Sequence, residues 1–278
     1  MSMRQDRQVP LPVSIQVCTL NEEANIRDCL VSIQANDPEE IVVIDGGSTD
    51  RTVEIASTMG VRVLRPGRLG LGPSRQLGWT STDSHYVGVV DADDRLPEGW
   101  LAQMLSELEH GTYAALQSCI RALPRGNWWA SGWNQYFIES VKPCASTSIV
   151  GRPALYVADA LRRIDEEVPS LDEDTFISRI LELKGMRQGI GQAVAHRYVE
   201  RTYTCNARKW RSYGYGYRNF VHRYPERRGA ILGHVLFTIP FRRTIPPLLR
   251  GHLSQPIFGL IMSMEIIRGW LLGGAAPE

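Results

Sequence analysis

Two periodicities alternate across the first hundred residues, and this restricts the fold more than any other feature of the chain. Short apolar, β-branched runs ("VSIQVCT", "EIVVID", "VRVLR", "YVGVVD") alternate with stretches whose apolar residues return at helical spacing. In "NEEANIRDCLVSIQAN", Ile26, Leu30 and Ile33 share one face, with Asn21 as the expected cap. "STDRTVEIASTMG" reads as a second helix, ended by Gly60, and "GPSRQLGWTST" as a third. Runs that are apolar on both faces suit strands covered on both sides, and strands that alternate with helices at this spacing pair in parallel. The expectation is an α/β domain with a mostly parallel sheet and helices on both faces.

Four loops then fall at the carboxyl ends of the expected strands, where open α/β sheets bind ligands: "CTLNEE", "DGGSTD", "GLGPSRQLGW" and "DADD". Asp91, Asp93 and Asp94 put three carboxylates into four residues. Such a group is either a solvated turn or a site that a cation compensates. Loop glycines and helix N-termini on this rim suit a nucleotide diphosphate. Phosphates beside carboxylates repel unless a divalent cation bridges them, and an all-oxygen site of this kind suits Mg²⁺ or Mn²⁺.

Beyond Gly111 the pattern loosens. "YAALQSCI" reads as a strand at the far side of the sheet, "PALYVADALRRI" as a strand leading into a helix, and "DEDTFISRILELKG" as an amphipathic helix stopped by Gly185. Trp210, Tyr213, Tyr217 and Phe220 recur at helical spacing, which fits a helix packed on the core. The sharper alternative is an acceptor platform, with Arg208, Lys209, Arg211 and Arg218 available to phosphate. The apolar runs 229–241 and 253–264 are too short to span a bilayer and each holds a proline, while Glu265 and Arg268 also argue against a span. They read as helices lying in a membrane interface, with a helical subdomain packed on the main core as the plainer reading.

With 43% hydrophobic and 22% charged residues, the 278-residue chain has the composition of a globular protein. Five cysteines without CxxC spacing indicate neither a disulfide framework nor a zinc site, and the opening "MSMRQDRQVPLP" lacks the apolar core of a secretory leader. A cytoplasmic setting is the expectation. The net charge of +1 hides an asymmetry, with eight excess negative charges over residues 1–196 and ten excess positive charges over 197–250. The basic part is expected to face an anionic membrane surface or a phosphorylated substrate; no nucleic acid partner is expected.

In order and spacing, "VSIQVCTLNEEANIRDCLVSI", "EIVVIDGGSTDRTVEIA", "GPSRQLGW", "VGVVDADDRLPEGWL" and "EDTFISRI" resemble a family 2 glycosyltransferase of the GT-A fold, over roughly residues 12 to 200. The resemblance implies that Thr19, Glu22 and Asp45 contact the base and ribose of a nucleotide-sugar donor and that Arg75 lies near its phosphates. It implies that Asp91 and Asp93 form the Asp-x-Asp motif, with Asp93 on the metal and Asp91 on the ribose or the metal shell. Asp174 matches the general base, with Glu173 its neighbour, and His196 matches a further metal ligand of some relatives. Leu20 and Gly46 depart from the family pattern, which usually has an aromatic and a second aspartate there.

The expected function is therefore metal-dependent, inverting transfer of a sugar from a nucleotide donor to a glycan or lipid-linked acceptor, with Mn²⁺ or Mg²⁺, at the inner face of the cell membrane. A polyprenyl-phosphate glycosyltransferase is the runner-up; a sugar-1-phosphate nucleotidyltransferase and a non-catalytic nucleotide-sugar-binding protein belong to other classes. The expected division is a GT-A (Rossmann-like) catalytic domain over 1–200 and a basic, aromatic helical region over 201–278 for acceptor or membrane contact. Self-association is left open.

Overall fold

The computed structural model of the protein describes residues 10–123, 128–146, 149, 151–199, 202–238, 241, 245, 248–249 and 254–272. The first half runs β1 (Leu11–Thr19), α1 (Ile26–Gln34), β2 (Pro38–Asp45), α2 (Thr52–Thr58), β3 (Arg62–Leu64), α3 (Leu71–Thr80) and β4 (Tyr86–Asp91). It continues through β5 (Asp94–Arg95), α4 (Trp100–His110), β6 (Ala115–Ala122), α5 (Trp128–Ser140), β7 (Cys144–Ser146), β8 (Ala154–Val157) and α6 (Ala158–Arg162). Then come α7 (Glu173–Leu183), β9 (Gln188–Arg197), α8 (Tyr203–Arg223), α9 (Arg228–Gly233) and a C-terminal helix, Ser254–Leu272.

The strands form one sheet in the order β3-β2-β1-β4-β8-β6-β9-β5, with β7 also pairing on β9. β1 lies between β2 and β4 and runs parallel to both, so the carboxyl ends of these three strands share one edge. β8 runs antiparallel between β4 and β6, and β6 is parallel to β9. Val13, Ile15 and Val17 of β1 are completely buried, and Ser14 and Gln16 nearly so. Both faces of the strand are covered, so the polar Ser14 and Gln16 are buried along with the apolar residues that alternate with them. β4 divides its valines between two cores. Val90 joins α1 and α4 through Leu30, Leu101 and Met104, whereas Val87 and Val89 join Trp79 of α3 and Phe176, Ile177 and Leu181 of α7.

Several local expectations are corrected. β6 is an interior strand, because β8 and β9 pair along its two edges. Asn21 is not the cap of α1. It takes a positive φ of 56° and bridges to the next loop, accepting from the Thr49 amide at 2.9 Å, while Asn25 precedes the helix. Gly99, left-handed at φ 79°, precedes α4, and the Trp100 amide donates to the Pro97 carbonyl at 3.1 Å in the turn before it.

A third core is built mostly of aromatic residues. Ile120 and Ala122 of β6, Trp133 and Phe137 of α5, Trp210 of α8, and Phe258, Met262 and Ile266 of the C-terminal helix pack together, with Tyr213 and Tyr217 at its margin. The helical-spacing reading of Trp210 and Phe220 is thus borne out, with Trp210 completely buried. Among the described residues no helix is long and apolar enough to cross a membrane. Arg242, Arg243 and Arg250, expected at a membrane surface, lie outside the described residues.

Candidate active site

The ends of β1, β2 and β4 deliver the first residues of the site. Thr19 and Asp45 are ladder partners at the last rungs of β1 and β2, both buried, with the Thr19 hydroxyl 3.4 Å from Asp45 Oδ1. Asp45 Oδ2 accepts from the Gly47 and Ser48 amides, each at 3.1 Å, which turns the chain out of the sheet at Gly47, φ 99°. Glu22, one turn beyond β1, is held by its amide on Thr52 Oγ1 at 2.7 Å and by Asn25 Nδ2 on its carboxylate at 2.8 Å. Thr19, Glu22 and Asp45 therefore share one edge of the sheet with Asp91, whose ladder partner on β1 is Cys18.

The "DADD" turn is not a solvated loop. Asp94 is completely buried, and one ligand atom each from Asp91, Asp93 and Asp94 can be chosen so that all three lie within 4.8 Å of one another. The compensating cation that such a group needs is supplied in part by the chain itself. Arg197, at the end of β9, reaches Asp94 at 2.8 and 2.9 Å, Asp91 at 3.0 Å and Asp93 at 3.6 Å. Arg75 grips the other oxygen of Asp91 at 2.7 Å. Burial alone would raise the Asp91 pKa, but Arg75, Arg197 and Arg152 outweigh it and hold the carboxyl well below the usual range. For Asp94, burial wins over Arg197 and pushes the carboxyl up.

Arg75 also links this group to the second acidic motif. Its Nε lies 3.2 Å from Glu173, which Arg152 approaches from another side at 3.4 Å. Arg152 also stands 3.8 Å from Asp174, whose carboxylate accepts from the Thr175 amide at 2.7 Å and is 30% exposed. Glu173 is thus the buried partner of two arginines and is raised by burial and by Asp174, whereas Asp174 is the open acid at the start of α7. The loop before α7 sits close over α3. A side chain on Gly70 would overlap Ser170, and one on Gly72 would overlap the Pro169 carbonyl. The "GLG" glycines, expected to bring backbone close to phosphate, instead admit this loop and so set Glu173 beside Arg75.

The structure brings Arg75, Asp91, Asp93, Glu173 and Asp174 into one charged network. His196 does not join the three-carboxylate group. It pairs in the ladder with Arg95 and Arg121, and strand alternation gives it the opposite face from Arg197. Arg152, Arg197 and the burial of Asp94 were not anticipated. The available signal was the acid count alone, since five carboxylates near one strand edge demand buried cations. From α8, Lys209 lies over the Trp133 ring at 5.7 Å. Its ammonium is held above the ordinary lysine range first by Tyr213 and further by Asp93 and Asp91. Helix α8 thus reaches the site as well as the aromatic core. Asp93 Oδ1 is buried without a hydrogen-bond partner, an orphaned hard oxygen that fits a divalent cation.

Parallel strands that end in nucleotide-type loops, with an Asp-x-Asp turn beside a second acidic motif, define a GT-A type transferase architecture. The model of the family Glycosyl transferase family 2 matches residues 14–164, more than half of the chain, which therefore belongs to that family. An uncharacterized glycosyltransferase of Mycobacterium tuberculosis is 31% identical over 99 residues, covering 36% of this chain and 44% of that protein. The uncharacterized glycosyltransferase EpsJ of Bacillus subtilis is 32% identical over 108 residues, covering 36% and 31%. The matches span less than half the length of these relatives. Among solved structures, S. aureus TarS 1–349 in complex with UDP-GlcNAc superposes with a TM-score of 0.57 at 15% identity, covering 93% of this chain and 89% of that one. Glucosyl-3-phosphoglycerate synthase of Mycobacterium tuberculosis in complex with Mn²⁺, UDP and phosphoglyceric acid gives 0.50 at 20% identity, covering 68% and 70%. These likenesses show the shared GT-A fold.

Proposed function

We propose that this chain is a metal-dependent, inverting glycosyltransferase that moves a sugar from a nucleotide-sugar donor to an acceptor hydroxyl. The observation that carries the reading is the network running from Asp91 and Asp93 at the end of β4, through Arg75, to Glu173 and the open carboxylate of Asp174. Thr19, Glu22 and Asp45 would hold base and ribose, where buried polar groups at the strand ends give orientation. Asp93 and Asp91 would hold Mn²⁺ or Mg²⁺, which as a Lewis acid disperses the charge of the leaving nucleoside diphosphate. Arg75, buried with Nε on Glu173 and Nη2 on Asp91, would hold these two acids in register beside the donor's phosphates.

Asp174 takes the proton from the acceptor hydroxyl. A positioned carboxylate typically contributes about 10²- to 10⁴-fold in rate. It stands in the first turn of α7, where a helix N-terminus favours an anionic group, and the adjacent Glu173 faces Arg75 and Arg152. Displacement on the face opposite the leaving group inverts the anomeric carbon.

The second element of the proposal is attachment at the inner face of the membrane, with a glycan or lipid-linked acceptor. It rests on exposed apolar side chains in the C-terminal part, with Phe237 inside the basic stretch 197–250 and Leu260, Met264 and Leu271 following it. A screen of UDP-, GDP- and dTDP-sugars for Mn²⁺-dependent turnover and thermal stabilisation tests the donor assignment. A bound donor raises stability by mass action, and no stabilisation by any of them would remove the reading.

A further inference from the structure

We propose that Arg197 is a resident counter-ion that competes with the divalent cation for the Asp91–Asp93–Asp94 group, so that metal and nucleoside diphosphate bind with positive coupling. This rests on the metal-dependent reading above and assigns a positioning role to a residue outside the matched family region.

The oxygens decide the matter. Asp91 Oδ1 is taken by Arg75, which leaves Oδ2, and that atom accepts from Arg197 at 3.0 Å. Both Asp94 oxygens accept from Arg197, and Oδ2 also accepts from the Asp91 amide at 3.1 Å. Asp93 Oδ1, the orphaned atom, is the one that Arg197 Nε approaches at 3.6 Å. A cation drawing on Asp91 Oδ2 and Asp93 Oδ1 therefore uses the oxygens that the guanidinium faces, and two cations at that separation repel strongly in a buried site.

Only the side chain has to move. The Arg197 backbone is pinned between β5 and β6, pairing with Asp94 and Ala122 and accepting from the Leu123 amide at 2.8 Å, and the adjacent Tyr198 amide donates to the Asp93 carbonyl at 2.9 Å. The acidic turn and the base of Arg197 are thus one stiff unit, with the guanidinium at the end of a long rotatable stem. Displaced from the carboxylates, a guanidinium needs another anion, and a diphosphate matches its fork of donors in two-point contact. Metal alone must expel Arg197 without compensation, whereas metal with a nucleoside diphosphate gives it a new partner.

The test is direct Mn²⁺ binding, by the electron paramagnetic resonance signal of the free ion, with and without UDP as the nucleoside diphosphate probe. In the wild-type protein UDP should tighten Mn²⁺ binding at least tenfold. In Arg197→Met, Mn²⁺ alone should bind at least tenfold more tightly than in the wild type, and the effect of UDP should shrink. Arg197→Lys keeps the charge but cannot span three carboxylates; it should fall between the two, and it preserves the test if the methionine variant does not fold. Mn²⁺ affinity in the absence of UDP that is no tighter in either variant would overturn the proposal while leaving metal dependence intact. No Mn²⁺ binding to the wild type under any condition, with sugar transfer intact in EDTA, would overturn metal dependence and this proposal together.

Discussion

The backbone carbonyl of Ile266 lies where a side chain on Gly214 would have to be. Gly269 is in the same position relative to the Arg211 carbonyl, so α8 and the C-terminal helix touch backbone to backbone. Arg211 and Glu265 form an ion pair across the same contact. An exposed helical Gly→Ala change stabilises by about 0.5–1 kcal/mol, and Gly229→Ala, with open space around it, should do so. Gly214→Ala should have the opposite sign and cost about 1–3 kcal/mol, because the helices must separate. Thermal melts of the two variants check it; equal shifts would remove the close-contact account.

Asp93→Asn and Asp94→Asn should separate ligand binding from structure. Asp93 makes no close hydrogen bond through its buried Oδ1, so the asparagine variant should fold with a nearly unchanged melting temperature and lose Mn²⁺-dependent donor stabilisation. Asp94 is completely buried on Arg197, and its asparagine variant should lose about 1–3 kcal/mol of stability before any ligand is added. Calorimetry with and without Mn²⁺ and UDP distinguishes the two.

Asp174→Asn should leave donor affinity within about twofold and lower transfer by about 10²- to 10⁴-fold, since a general base acts on the acceptor only in the transition state. Glu173→Gln should instead weaken the protein itself, because Arg75 and Arg152 would lose their shared carboxylate. Normal turnover by Asp174→Asn would move the base elsewhere.

Asp172 predicts a pH dependence. It sits in a left-handed conformation at φ 57°, against Gly216 of α8, with Oδ2 buried and unpartnered. Burial, then Asp174 and Glu173, push its carboxyl up to about 8, against Arg223. The folded pKa lies above the unfolded value, so its contribution is fully present below about pH 4 and is lost as pH rises through about 8. Asparagine tolerates the left-handed backbone and carries no charge. Asp172→Asn should therefore flatten the stability profile between pH 4 and 8, and above pH 8 it should exceed the wild type by about 1–3 kcal/mol. Denaturant midpoints measured across that range test it.

Membrane attachment should depend on exposed side chains and not on the packed ones. Removing the whole C-terminal segment would strip Phe258, Met262 and Ile266 from the aromatic core, so surface substitutions are the cleaner probe. Replacing Phe237 by Ser, Met264 by Gln and Leu271 by Gln should lower co-sedimentation with anionic vesicles about tenfold or more at low salt, with nucleotide binding unchanged. Equal partitioning of the wild type to neutral and anionic vesicles would rule out the electrostatic part.

The local pattern of residues sufficed for the parallel half of the sheet and for the edge at which its acidic turn lies. Val13, Ile15 and Val17 are buried at every alternate step, Ile26, Leu30 and Ile33 return at helical spacing, and Asp91 ends an apolar run. Each of these signals is carried by neighbours along the chain, where periodicity and burial are directly coupled. Asp93 and Asp174 are likewise placed by short motifs, at the end of β4 and the first turn of α7. What the acids are paired with was decided only by the tertiary fold. Arg197 meets Asp94 across 103 residues, Arg75 meets Glu173 across 98, and α8 meets the C-terminal helix through two glycines that show no pattern in a linear reading. A charge pair or a backbone contact depends on distance in space, and the chain alone does not say which strand edge a distant arginine will close.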